Sequence, residues 1–127
     1  MLVYIIFLIT DLLLPTLMII FGLLFLYKPP KTINYLYGYR TKRSMISQES
    51  WDYAHQYFGK IWFPLGVIVL ILTIVAFIFL YNQDEETVGV VGFLIMLVQL
   101  TTLMVPTLIT EKALKRKFDN DGKNMNQ

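Results

Sequence analysis

Between positions 34 and 60 the chain gathers the residue types that do chemistry: Asn34, Gly38, Tyr39, Arg40, Thr41, Ser44, Glu49, Trp51, His55, Gly59 and Lys60. Gly38 lets the backbone turn, and Arg40 then presents a rigid fork of five donors. Such a group clamps a lipid phosphate or another anionic ligand, or it pairs with Glu49, Asp52 or Glu111. His55 is the chain's single histidine. Glu49, Asp52 and His55 stand at i, i+3 and i+6, which spreads them over about 120° of a helix side. Two carboxylates and an imidazole are metal-ligand types, but one helix converges too few of them, so a solvated face is expected and no metal is assigned. A His–acid pair that senses pH or shuttles protons stays open. Ser44 and Ser47 precede a helix, where serine usually caps, so no catalytic residue is assigned. No phosphate loop, dinucleotide fingerprint or Gly-x-Ser-x-Gly is present, no cofactor is expected, and the absence of cysteine excludes thiolate chemistry.

Two further polar residues sit where polarity is costly. Asp11 lies about 14 Å into the first apolar run at ~1.5 Å per residue, and Gln99 reaches a similar depth in the third. The two are expected to face each other inside a helical bundle. Asp11 then serves either as a protonated or hydrogen-bonded packing group or as part of a proton or ion pathway. An outward, shallower position is the remaining alternative. Pro15, Met18 and Gly22 share the Asp11 face, and Pro106 lies beyond Gln99. Both prolines are expected to kink their helices for packing.

The elements that position these residues follow from composition. The chain has 127 residues and is 56% hydrophobic, with a mean hydropathy of +0.57. One domain this small cannot bury that much apolar surface in a water-soluble core. Three runs hold the excess, at 2–27, 61–81 and 88–109, each long enough to cross the hydrocarbon as a helix. The expected fold is therefore an all-α integral membrane protein forming a single three-helix domain over 1–127. The first run has no basic start and no small-x-small site after it, so it reads as a retained span rather than a signal peptide. All 11 Lys and Arg fall in the connection 28–60 or the tail 111–127, while the charged residues of Asn82–Thr87 are all acids. That sorting predicts a cytoplasmic motif segment and tail, with the N-terminus outside. The basic flanks imply contact with anionic membrane lipids, and no fold remains for direct nucleic-acid binding.

Lys28-Pro29-Pro30 ends the first helix, and 31–43 reads as irregular, with Tyr35, Tyr37 and Tyr39 at the interface. A helix is predicted from Ser44 or Ser47. Trp51, His55, Phe58 and Trp62 repeat on one face of it, so 45–59 reads as an amphipathic helix lying along the cytoplasmic surface. A bend at Gly59 and Pro64 would lead into the second span. The tail continues as helix to Phe118, Asp119-Asn120-Asp121-Gly122 stops it, and the last residues are expected to be disordered. Three short spans bury little area, which leaves a homo-oligomer open.

The ordered pattern Asn34-x3-Gly38-Tyr39-Arg40-Thr41-x2-Ser44-Met45, then Trp51-x2-Ala54-His55-x3-Gly59-Lys60, resembles the SdpI/YfhL family of bacterial membrane proteins. Longer members have six spans, and this chain looks like the three-span form near the YfhL branch. The resemblance implies protection against a secreted, membrane-active peptide toxin of the SDP type. It also implies signalling through a cytoplasmic regulator. The expected function is peptide-toxin immunity or signalling. A membrane-embedded lipid-handling protein or enzyme, using Arg40 and His55 on a head group, is the alternative. A structural subunit of a larger complex is the third reading.

Overall fold

A computed structural model describes residues 1–125. Three helices follow in order: α1 (Leu2–Tyr27), α2 (Gln48–Leu80) and α3 (Glu85–Lys117). All three are long and apolar enough to cross a membrane. This is an all-helical, multi-pass membrane protein, in which α1 and α3 run one way and α2 the other. Helix α1 covers the predicted run 2–27, but α2 and α3 extend beyond the predicted runs 61–81 and 88–109. Each has 33 residues, about 50 Å at ~1.5 Å per residue, against a core of about 30 Å. The short turn from Tyr81 to Asp84 fixes their other ends. The surplus length therefore projects at the basic end, beside the end of α1.

This corrects the expected surface-lying helix over 45–59. Gln48–Lys60 is the first third of α2 and continues without a break through Gly59 and Pro64. Ser47 is its N-cap, closing a reciprocal box with Ser50. Ser44 instead ties a separate turn with Thr41. The face Trp51–His55–Phe58 is real, and each residue is buried. It covers the folded segment 28–47 rather than lipid, because that segment packs back onto α2. Tyr39 is likewise part of the core and not an interfacial tyrosine, whereas Tyr35 is exposed. Its core neighbours are Phe25, Ala54, Phe58, Leu114 and Phe118.

Helices α1 and α2 pack most closely, through small residues. A methyl group at Gly22 would lie 2.7 Å from the Phe63 nitrogen, and one at Gly59 would lie 2.9 Å from the Gly22 carbonyl oxygen. Backbone therefore meets backbone, the way helices associate where lipid supplies no hydrophobic drive. At the acidic end Phe77, Leu80 and Val88 form a second cluster with Val3, Tyr4 and Phe7. The tail beyond α3 is ordered as far as it is described. Phe118 and Asn124 bridge, Met125 N–H donates to the Lys117 carbonyl, and Ser47 Oγ donates to the Gly122 carbonyl at 2.7 Å. Residues 119–125 thus fold back against the start of α2 instead of fraying. The expected disorder of the final two residues lies outside the described residues.

Candidate functional site

The projecting end of α2 acts as a post to which residues 28–47 are tied. Two prolines end α1 and deprive the Phe25 and Leu26 carbonyls of helical donors. Gln56 Nε2 supplies Leu26 at 3.0 Å. The Trp51 indole N–H donates to the Pro30 carbonyl at 2.7 Å, and Gln48 Nε2 donates to that of Lys31. Asn34 builds the next turn: its Oδ1 accepts the N–H groups of Leu36 and Tyr37 at 3.0 and 2.7 Å. The chain then reverses at Gly38, whose φ is +123°, a region open essentially to glycine alone.

His55 is the centre of this arrangement. The Tyr39 N–H donates to Nε2 at 2.9 Å, so Nε2 carries no proton. Nδ1 lies 2.7 Å from the Trp51 carbonyl and is therefore the protonated nitrogen. The ring is fully buried, between Trp51 and Phe25. A methyl group at Gly38 would sit 2.7 Å from Nε2. Gly38, Tyr39, Trp51 and His55 thus form one packed unit. Both ring nitrogens are committed to backbone, which leaves His55 unavailable as a base on a head group. Asp52 turns outward, where Gln48 Nε2 donates to it. Among the described residues no three His, Asp or Glu side chains converge on a metal position.

Tyr39 carries the unit across to α3. Its hydroxyl donates to Glu111 Oε1 at 2.7 Å and lies 3.3 Å from the Thr107 carbonyl. Burial, and then the Glu111 carboxylate beside it, push the Tyr39 phenol well above its ordinary range. Sequence reasoning missed this link. Glu111 was in view only as a partner for Arg40, and nothing in the spacing of residues 39 and 111 pairs them. Ser44 Oγ donates to backbone carbonyls at Tyr39 and Thr41, so its role is to hold the turn. Thr41 Oγ1 accepts from the Ser44 N–H. Gly59 works in the α1 contact, and Lys60 and Glu49 are exposed.

Arg40 departs from the ion-pair expectation. Its guanidinium donates to the Tyr35 carbonyl. Among the described residues the single salt bridge is the N-terminal ammonium with Glu85, at the opposite end. The Arg40 charge is exposed and has no carboxylate, because Glu111 is held by Tyr39 and Asp52 faces away.

The intramembrane residues do come together, by a route that the sequence contains but a concern with kinks overlooks. Pro15 lacks the N–H that would pair with the carbonyl four residues earlier, which is that of Asp11. Gln99 Nε2 donates to this freed carbonyl at 2.7 Å and to Thr73 Oγ1 at 3.0 Å. One amide on α3 thereby ties α1 and α2 together. Asp11, Gln99, Pro15 and Pro106 are all buried. Both Asp11 carboxyl oxygens and Gln99 Oε1 have no hydrogen-bond partner.

The comparisons with known proteins bear on the same segment. No solved structure matches the chain. A protein of Bacillus subtilis (strain 168) called uncharacterized protein YfhL is 34% identical over 107 residues, covering 84% of this chain and 86% of that one. The SdpI/YfhL protein family matches residues 31–110, a stretch that takes in Gly38, Tyr39, Trp51, His55, Gln99 and most of α2 and α3. With the ordered motif, the helical architecture and this coverage, the chain belongs to the SdpI/YfhL family.

Proposed function

We propose that this protein sits in the bacterial cytoplasmic membrane with its basic end inside, and that it protects against, or reports, a membrane-active peptide toxin. The observation that carries the reading is an apolar groove of about 410 Å³ between α2 and α3, opening sideways within the spans. Leu72, Ala76, Leu94 and Val98 line it, and Thr73 and Gln99 bring polar atoms to it. An apolar peptide already dissolved in the bilayer reaches such a groove without crossing to the basic side. Gln99 touches all three helices, so a peptide lodged beside it acts on the whole bundle. This reconciles a toxin arriving from outside with a motif segment placed inside. The motif segment then serves as the part read by a cytoplasmic regulator.

A toxin-sensitive bacterium expressing the protein, challenged with SDP-type peptide at matched membrane abundance, tests the proposal. Protection by wild type, and its loss in Ala76→Trp, which fills the groove, is the expected result. No protection by wild type removes the reading. Equal protection by Ala76→Trp separates protection from the groove.

A further inference from the structure

The basic end holds a second cavity, about 490 Å³, bounded by the ends of α1, α2 and α3 and by residues 36–41. Its walls include Phe21, Phe25, Phe58 and Trp62 below and Arg40 above, with Thr107 at the α3 side. Phe21, Trp62 and Thr107 belong to the apolar runs, whereas Arg40 lies in the polar connection. The cavity therefore straddles the boundary between hydrocarbon and water. Aromatic walls under a cationic rim fit an amphiphile with an anionic head. Two observations independent of the shape point the same way. The Arg40 guanidinium has one backbone carbonyl as partner and no acid. The Trp62 indole N–H, in the wall, is buried and has no acceptor. A buried indole donor without a partner is uncommon in a finished structure.

We infer that this cavity binds one anionic phospholipid, its phosphate on the Arg40 fork, a glycerol-ester carbonyl accepting from the Trp62 indole N–H, and part of an acyl chain between Phe21 and Phe25. Lys42 and Arg43 follow Arg40 in sequence and disfavour a head group that carries its own ammonium. Glu111 is the nearby acid, and its Oε1 is engaged by the Tyr39 hydroxyl. A guanidinium–phosphate pair is planar and bidentate, which lysine does not reproduce. The inference does not depend on toxin binding, since this cavity and the α2–α3 groove have no lining residue in common.

The test is native mass spectrometry of the full chain in non-ionic detergent with equal amounts of phosphatidylglycerol and phosphatidylcholine. The expected result is a one-lipid adduct of phosphatidylglycerol. That adduct weakens roughly tenfold in Arg40→Ala, the loss of one charge-assisted contact, and less in Trp62→Phe. Arg40→Lys retains only part of the affinity. Melting of each variant in lipid-free detergent shows whether its fold survives. If Arg40→Ala melts early, Arg40→Gln and Trp62→Phe carry the comparison. Equal retention of the two lipids, or phosphatidylglycerol binding indifferent to Arg40 and Trp62, overturns the inference. Saturable, Arg40-dependent binding of glycerol 1-phosphate that displaces the lipid assigns the site to a soluble phosphate ester and overturns the lipid assignment.

Discussion

Replacing Gly38 by alanine perturbs a backbone angle and a packed contact at once. At φ +123° an L-residue carries strain of about 1–3 kcal/mol. The new methyl group would also stand 2.7 Å from His55 Nε2, 2.9 Å from Pro30 Cγ and 3.0 Å from Trp51 Cη2. His55 cannot swing freely, because Nδ1 is fixed on the Trp51 carbonyl. Any shift that relieves the contact lengthens the Tyr39 N–H to Nε2 bond, and a buried donor left unpaired costs about 1–3 kcal/mol. The two effects together take roughly 2–6 kcal/mol from the fold of residues 28–47. Each 1.4 kcal/mol is a factor of ten, so amide exchange at Tyr39 and Arg40 accelerates by at least about thirtyfold. Hydrogen–deuterium exchange in micelles reads this directly. Amides in 88–102 keep their wild-type protection, because Tyr39 meets α3 farther on, at Thr107 and Glu111. A Tyr39 exchange rate within threefold of wild type would refute the reasoning. The double variant Gly38→Ala/His55→Ala tests the contact itself. With the ring gone, the two substitutions cost less together than their sum.

Tyr39→Phe removes the hydroxyl from Glu111 and is expected to cost about 1–3 kcal/mol in detergent melting, since a charged acceptor loses its donor. Because burial raises the Tyr39 phenol, the neutral form belongs to the fold. That stability is fully present below pH ~10, the unfolded value, and declines as pH rises above it. The alkaline loss is smaller in Tyr39→Phe when both are melted across about pH 9 to 11. Gln99→Leu strands the Asp11 carbonyl and is expected to lower stability by roughly 2–4 kcal/mol. In a Pro15→Ala background, where residue 15 again has an N–H, chemical unfolding should show a smaller cost for the same substitution, and equal costs would remove Pro15 from the account. Gly59→Leu drives a side chain into the Gly22 carbonyl and is expected to loosen the α1–α2 contact, read as melting in detergent well below wild type.

The spans were legible because lipid enforces them: an uncharged apolar run of about 20 residues or more is suited to a bilayer and to little else. The meeting of Asp11 with Gln99 was legible from depth alone. The role of Pro15 could have been read as well, by asking which carbonyl a proline orphans rather than only whether it kinks. The fold of 28–60 was not legible. A face bearing Trp51, His55 and Phe58 has the same periodicity whether it lies on lipid or supports a loop, and periodicity does not name what covers it. The Tyr39–Glu111 bond spans 72 positions, and no local pattern encodes a contact between a folded connection and the end of a helix that projects beside it. The Arg40 pairing failed for a related reason. Three acids lay within reach along the sequence, but their directions were settled by packing.

The projecting end of α3 has a mechanical consequence. Gln99 pins this helix to its two neighbours at mid-membrane, and Glu111, 12 residues farther on, is held by Tyr39. The arm from pivot to Glu111 is about 18 Å at ~1.5 Å per residue. A tilt of about 5° around the pivot moves that carboxylate roughly 1.6 Å across this arm, enough to pull a 2.7 Å hydrogen bond apart. The helix is thus a stiff lever with a short stroke. A small angular change within the hydrocarbon becomes a make-or-break change outside it, with no residue in between needing to rearrange.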